Sequence, residues 1–90
     1  MYLHIGNGEI VNNEDIIGIF DMDTATVSSV SRQFLSMAEQ KKEIWYGDSD
    51  IPKSFIVCTE EKKKQKIVFS RISTSSLKLR TIQFLNDLND

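Results

Sequence analysis

The residues with the clearest potential for chemistry are the acidic ones in NNEDIIGIFDMD, at positions 12–23. Glu14 and Asp15 precede an apolar run, and Asp21 and Asp23 follow it. Carboxylates brought together could bind a metal ion or act as an acid–base pair. A strand rises about 3.3 Å per residue, so an extended run would hold the two groups roughly 17–20 Å apart. The spacing favours a single strand with solvated ends over a carboxylate site.

Other candidates for catalysis or metal binding also lack partners. His4 and Cys58 are the one histidine and the one cysteine, and their separation is not that of zinc ligands. Cys58 lies in an apolar run, where its thiol is expected to stay protonated. The Gly6-Asn7-Gly8 turn lacks the remaining residues of a phosphate-binding loop. We therefore predict no enzyme activity, no metal and no cofactor.

Lysines are the remaining residues that point to a function, and several of them lie in one short charged segment. The charged segment contains Lys62, Lys63, Lys64 and Lys66, and further basic residues stand at Lys41, Lys42, Lys53, Lys78 and Arg80. A solvated hairpin tip explains such a run in an isolated domain, and Glu60 and Glu61 partly cancel its field. In a ring or dimer the same loop would be repeated around one face. The modest charge of each subunit would then add up to a surface that binds a polyanion.

Size and composition indicate one soluble globular domain over residues 1–90, with 40% hydrophobic and 27% charged residues. The formal net charge of −2 gives the whole chain no drive towards nucleic acid. A single cysteine suits a reducing compartment, and neither a signal peptide nor an apolar run of about 20 residues is present. We predict a cytoplasmic protein without a membrane partner. Because so short a chain buries about 60–65% of its unfolded surface, oligomerisation is a common remedy.

The first third of the chain has the pattern of three strands. Two short β-prone pieces, Tyr2–Ile5 and Glu9–Val11, flank a Gly-Asn-Gly turn and predict a hairpin. Residues 16–20 predict a third strand with apolar side chains on both faces. We therefore expect this third strand to be central in its sheet and covered on both sides.

The period then changes to that of a helix between Thr26 and Lys42, which Thr24 or Thr26 could cap. Its predicted buried stripe consists of Val27, Val30, Phe34 and Met37, with Ala38 beside them. A short strand is predicted at Glu43–Tyr46. Of the adjacent Trp45 and Tyr46, we expect one to be buried and the other to be an interface candidate, because neighbours in a strand point to opposite faces.

The last third predicts a second hairpin and a final helix. Ser54–Thr59 and Ile67–Ile72 are its two strands, and Ser73–Ser76 offer N-caps for the helix. The helical stripe consists of Leu77, Thr81, Phe84, Leu85 and Leu88. The predicted fold is α+β, with a small antiparallel or mixed sheet of about five to six strands and two helices, in the order β-β-β-α-β-β-β-α.

Several segments taken together resemble the RemA/RemB family of extracellular-matrix regulators, and most closely its RemB branch. These segments are Met1–Gly6, Asp15–Asp21, Pro52–Val57 and Ser73–Leu79, so the resemblance covers residues 1–85 or so. It implies a LytTR-like fold and a non-enzymatic, DNA-binding transcriptional regulator of biofilm-matrix genes in bacteria. It also implies a ring-like homo-oligomer or dimer that DNA can wrap.

The resemblance also indicates which loops would contact DNA. The RemA branch carries arginines in two loops, which correspond here to Asp15 and to Asp50 and Ile51. Lys53 keeps a basic residue in the second loop. Because acidic groups facing phosphate weaken binding, Lys53 is the one contact carried over from the resemblance.

Two hypotheses follow. In the first, a homo-oligomer binds double-stranded DNA through Lys53 and, on charge alone, Lys62, Lys63, Lys64 and Lys66. In the second, the protein is a structural or protein-interaction subunit that does not bind DNA, and a more basic RemA-like relative is a candidate partner.

Overall fold

The computed structural model describes residues 2–6, 9–46, 51–61 and 63–89, with side chains up to Thr81. The predicted residues Lys62, Asp50 and the turn residues Asn7 and Gly8 lie outside this part. The strands are β1 (Tyr2–Gly6), β2 (Glu9–Asn12), β3 (Ile16–Asp21), β4 (Ile44–Trp45), β5 (Ser54–Glu60) and β6 (Lys64–Ser70). The helices are α1 (Met22–Val27), α2 (Ser29–Gln40) and α3 (Thr74–Asn89).

The strands form two sheets, so the α+β class is confirmed while the single sheet of five to six strands is wrong. β1 and β2 form a separate antiparallel hairpin, and the larger sheet has the order β3-β5-β6-β4. The hairpin ends because the Asn12 side chain accepts a hydrogen bond from the Glu14 backbone N–H. This caps a 3₁₀ turn over Asn13–Asp15, which redirects the chain into the second sheet.

One face of the larger sheet is covered by the β1–β2 hairpin and by α3. Its core contains Leu3, Ile5, Val11, Ile56, Cys58, Val68 and Leu77. The buried Ser70 hydroxyl donates to the Ile5 carbonyl over 2.6 Å, and Arg80 Nη1 donates to the His4 carbonyl over 2.7 Å. These two bonds attach β1 to the sheet and to α3, and we call this side the closed face.

The other face is covered by α1 and α2, where one helix was predicted. Ser28 is extended (φ −92°, ψ 127°) and interrupts the helical course, and its side chain accepts from the Ser31 N–H to begin α2. The Asp21 carboxylate accepts from the Thr24 N–H and hydroxyl and so begins α1. The predicted caps at Thr24 and Thr26 are therefore wrong, because an acceptor stood earlier in the chain.

The predicted buried stripe of this helix is also largely wrong. Val27, Val30 and Met37 are exposed, while Phe34 is half-buried and Ala38 is buried. α2 turns Leu35 and Ala38, rather than Val30 and Met37, towards Phe55, Val57 and Ile67 of the sheet. The sequence period indicated helical structure here, but it missed the break at Ser28. Two neighbouring faces of α2 are apolar, and the described residues cover one of them.

β3 is an edge strand among the described residues, which corrects its predicted central position. It pairs with β5 alone, and a bulge at Ile17 shifts the register between Ile16 and Gly18. Beyond the bulge, Phe20 lies back over Gly18 and its ring stacks on Phe55, with centroids 5.1 Å apart. A Cβ at Gly18 would lie 2.7 Å from the Phe20 ring, so the glycine leaves room for this stack.

The final helix is capped by Ser73, whose hydroxyl accepts from the Ser76 N–H. Leu77 is fully buried and Thr81 half-buried, as predicted, whereas the other three residues of the stripe have side chains outside the described set. Among the described residues, no helix combines the length and apolar character needed to cross a bilayer.

Candidate nucleic-acid interface

The hairpin lysines are presented by the tight turn between β5 and β6. The Lys63 N–H donates to the Glu60 carbonyl over 3.1 Å, and Glu61 takes the left-handed conformation (φ 54°) that closes the turn. The side chains of Lys63 and Lys64 are exposed. The predicted solvated, charged tip is therefore observed at these two residues.

Two further lysines join them because β4 pairs with β6 in parallel. Lys41 is the C-cap of α2, and the backbone of the following Lys42 reverses direction with a φ of 59°. The Ile67 N–H then donates to the Glu43 carbonyl over 2.9 Å, and Ile44 pairs with Ile67. This crossover places the end of α2 beside the first residues of β6.

The result is a concave surface, which we call the lysine groove. Its basic residues are Lys41, Lys42, Lys63, Lys64 and Lys66. Glu43 and Glu60 are its acidic residues, and Ile44, Trp45 and Gln65 complete the lining. Its described lining therefore carries a formal charge of +3 on a chain of net charge −2. Such a local excess of positive charge attracts anions even where the whole chain does not.

Lys66 differs from its neighbours in having a partner. Its ammonium group lies 3.2 Å from a Glu9 carboxylate oxygen and 5.5 Å from the centroid of the Trp45 ring. A lysine held in this way has less freedom to reach a phosphate than the exposed Lys63 and Lys64. We therefore rank Lys66 below those two as a contact.

Lys53, the contact implied by the resemblance, lies at the opposite end of the same hairpin. It precedes β5 and shares a depression with Arg71, Gly6, Ile51 and Ile72. The seven residues of β5 separate it from the hairpin turn, which is about 23 Å along the strand. The predicted lysines therefore form two separate basic places instead of one patch.

The backbone of Lys53 fixes the position of this second basic place. Its N–H donates to the Ser70 carbonyl over 2.8 Å, and its own carbonyl accepts from the Met22 N–H over 3.0 Å. Lys53 thus joins the end of β6 to the start of α1, while its side chain is exposed. Arg71 adds a second cation that sequence reasoning had not singled out.

Two of the positions at which the resemblance implies arginines in the RemA branch, Asp15 and Ile51, are described in the structure, and neither is basic. Asp15 ends the 3₁₀ turn before β3 and is half-buried, and Ile51 is 88% exposed. Asp21, at the other end of β3, is engaged as the cap of α1. The acidic residues around β3 thus have structural or surface roles, and the two ends of the strand keep them apart.

The thiol of Cys58 is buried in the closed face and donates to the Lys66 carbonyl over 3.4 Å. Burial raises its pKa, Lys66 lowers it, and Asp15, Glu60 and Glu9 raise it further. The net direction is upward, so the thiol is protonated at neutral pH as predicted. His4 has an exposed side chain on β1 and does not share the buried environment of Cys58.

Trp45 and Tyr46 point to opposite faces, as expected, but neither is buried. Trp45 contacts Lys66 on the closed-face side, while the Tyr46 ring meets Phe69 edge-on at 5.1 Å. They are 50% and 51% exposed. The prediction that one of them would be buried is therefore wrong, since a two-residue edge strand at β4 has no neighbour beyond it among the described residues.

Sequence reasoning missed the contribution of Lys41, Lys42 and Trp45 to the basic surface. They are close to the hairpin through the parallel β4–β6 pairing alone. A parallel pair is not joined by a turn, so no local signal marks it.

Comparison with known proteins identifies a relative that matches along nearly the whole chain. No family model matches the chain. The chain is 35% identical to the Bacillus subtilis (strain 168) "Extracellular matrix regulatory protein B" over 89 residues, which span 99% of each chain.

Proposed function

Since the chain belongs to the family of extracellular matrix regulatory protein B, we propose that it is a regulator of matrix genes that binds double-stranded DNA as a homo-oligomer. The name of the B. subtilis relative supports a role in matrix regulation. The resemblance further implies a LytTR-like DNA-binding arrangement, and we include that in the proposal.

The observation that carries the proposal is the lysine groove. Lys41, Lys42, Lys63 and Lys64 come from two distant parts of the sequence and are all exposed on one concave surface. Lysines act on phosphates mainly as point charges, and phosphate contacts position a protein on DNA without reading bases. We propose that the groove provides most of the phosphate contacts.

Lys53 and Arg71 would supply a second set of phosphate contacts. The distance of about 23 Å along β5 is shorter than the roughly 34 Å of one turn of a duplex, so one DNA molecule can reach both places. In a homo-oligomer both would be repeated, which compensates for the small charge of each subunit.

A titration of a labelled AT-rich duplex by fluorescence anisotropy, at low and at physiological salt, tests the proposal. We expect an affinity that falls steeply with salt, because each neutralised phosphate contributes about 0.9 to the slope of log K against log salt. Lys63→Gln/Lys64→Gln should weaken binding and flatten this slope by nearly two units.

Lys78→Gln is the matched control, because Lys78 is an exposed lysine of α3 outside the groove. It should leave the slope within the error of the unaltered protein. Lys53→Gln should flatten the slope by about one unit and so reports on the second basic place separately. A folded protein that fails to bind at both salt concentrations contradicts the proposal.

The second candidate function is a structural or protein-interaction subunit without direct DNA contact. Asp15 and Ile51 favour it, because they stand where the resemblance places arginines in the RemA branch. A more basic RemA-like relative would then be the partner that supplies the DNA contacts. Co-expression followed by pull-down tests this, and recovery of each protein alone contradicts it.

A further inference from the structure

The face of the larger sheet beneath α1 and α2 contains an apolar groove between α2 and β3. Ile17 and Phe20 of β3 form one wall, Val30 and Phe34 of α2 form the other, and Phe55 and Val57 lie at its floor. We call this surface the α2–β3 groove. It is formed at the bulge of β3, which turns Ile17 towards the helix side of the sheet.

The side chains of this groove are far more exposed than an apolar cluster usually is. Ile17 is 63% and Val30 is 73% exposed, and Met37, one turn beyond Phe34 on α2, is 55% exposed. Single exposed apolar residues are ordinary, but a contiguous set marks an interaction surface. The apolar stripe of α2 has the spacing of a buried surface, although the described residues of the chain do not cover it.

The charge of the region indicates the class of the missing partner. Among the twelve residues of α2, SVSRQFLSMAEQ, Arg32 and Glu39 are the charged ones, and neither lines the groove. Arg32 is directed to the Thr26 carbonyl, 3.1 Å away. Interface cores between proteins are depleted in charge, whereas nucleic acid requires cations. The groove therefore suits a protein surface and not a polyanion.

The total surface supports a partner of this kind. The chain exposes 6383 Å², while the scaling for folded monomers gives about 5400 Å² for a mass of 10.3 kDa. The excess of about 1000 Å² is close to the roughly 800 Å² that each partner buries in a standard interface. Burial of one interface of standard size would reduce the exposed surface area of the chain to that expected of a compact monomer of this mass.

We infer that the α2–β3 groove is the surface through which two copies of this chain pair about a two-fold axis. A two-fold interface brings the same patch of both subunits together, so the patch must be complementary to a second copy of itself. The uncharged exposed side of α2 meets this condition, whereas the lysine groove would repel its own copy. The edge of β3 that no other described strand pairs with lies beside the groove and can contribute backbone hydrogen bonds to the same contact.

This inference rests on the homo-oligomer in the proposed function and gives it a location. The two grooves share Gln65, but none of the lysines of the lysine groove lines the α2–β3 groove, so the charged contacts to DNA and the apolar contacts of assembly come from different side chains. The two can therefore be disrupted independently.

Sedimentation of the full chain at high micromolar concentration, without DNA, tests the inference. The unaltered protein should have a mass of at least two chains of 10.3 kDa. Val30→Glu should reduce that mass by half or more, because it places two like charges in an uncharged contact. Far-UV circular dichroism should be unchanged, since Val30 is exposed in the single chain.

The matched control is Leu79→Glu, which places the same charge at a 65% exposed apolar position of another helix. It should leave the mass unchanged. A mixture of Val30→Glu and Val30→Lys should regain the mass of the unaltered protein, because opposite charges then face each other. A monomeric unaltered protein, or an unchanged mass for Val30→Glu, overturns the inference; retained salt-dependent DNA binding in either case leaves the proposed DNA contact intact.

Discussion

The two faces of the larger sheet use similar apolar side chains but are covered to different extents. On the closed face, Ile5, Ile56, Val68 and Leu77 are at most 1% exposed, beneath a hairpin and a helix of 16 residues. On the other face, the two covering helices have 6 and 12 residues and are interrupted at Ser28. They cover Phe55 and Ile67 but leave the side next to β3 open.

The difference indicates a division of roles within one small domain. The closed face is cross-connected by Ser70 to β1 and by Arg80 to the same strand, so its covering elements are fixed. The open side has apolar area without a partner in the described chain. We conclude that the closed face supplies most of the stability of the single subunit, and that the open side is available for association.

The largest expected effect is that of a truncation on the closed face. Ile56→Ala removes a side chain that is 0% exposed, and should lower the free energy of unfolding by about 2–5 kcal/mol. Denaturant titration followed by circular dichroism measures it. A cost below about 1 kcal/mol would contradict the role given to the closed face.

A smaller effect is expected in β3, an edge strand of the larger sheet. Gly18→Ala places a Cβ 2.7 Å from the Phe20 ring and should displace that ring from its stack on Phe55. We expect a loss of about 1 kcal/mol, the usual value of an aromatic pair. The same substitution in a Phe20→Ala background should cost little, and an equal cost in both backgrounds would exclude this cause.

The smallest effect is expected on the open side. Ile17→Ala truncates the same side chain as Ile56→Ala, but at a position that is 63% exposed. In dilute protein it should change the free energy of unfolding by no more than about 0.5 kcal/mol. At high protein concentration the cost should grow, because association then buries Ile17. A concentration-independent cost would remove Ile17 from the contact.

The sequence predicted those elements whose signals are local. The two hairpins, the class of the fold and the positions of the helices follow from turn residues and apolar period. The position of β3 did not follow, because apolar residues on both faces are equally expected of a central strand and of an edge strand with an interface. The break at Ser28 was also hidden, since the apolar period continues across it.

The candidate site was predictable in part for the same reason. Lys63 and Lys64 were evident as a charged turn, and Lys53 was implied by the resemblance. The antiparallel pairing of β5 and β6 places Lys53 and the hairpin lysines at opposite ends of the hairpin. The parallel pairing of β4 and β6 places Lys41 and Lys42 beside the turn. The local sequence specifies neither pairing. The pairing of Lys66 with Glu9, 57 positions away, was likewise outside the reach of sequence patterns.

Trp45 has a practical consequence for experiments on this protein. It is the one tryptophan of the chain, it lines the lysine groove, and it is half exposed with the Lys66 ammonium group above its ring. Its emission therefore comes from a single, defined place and is sensitive to the displacement of one nearby charge. The protein carries an intrinsic optical reporter of what occupies the groove, without any added label.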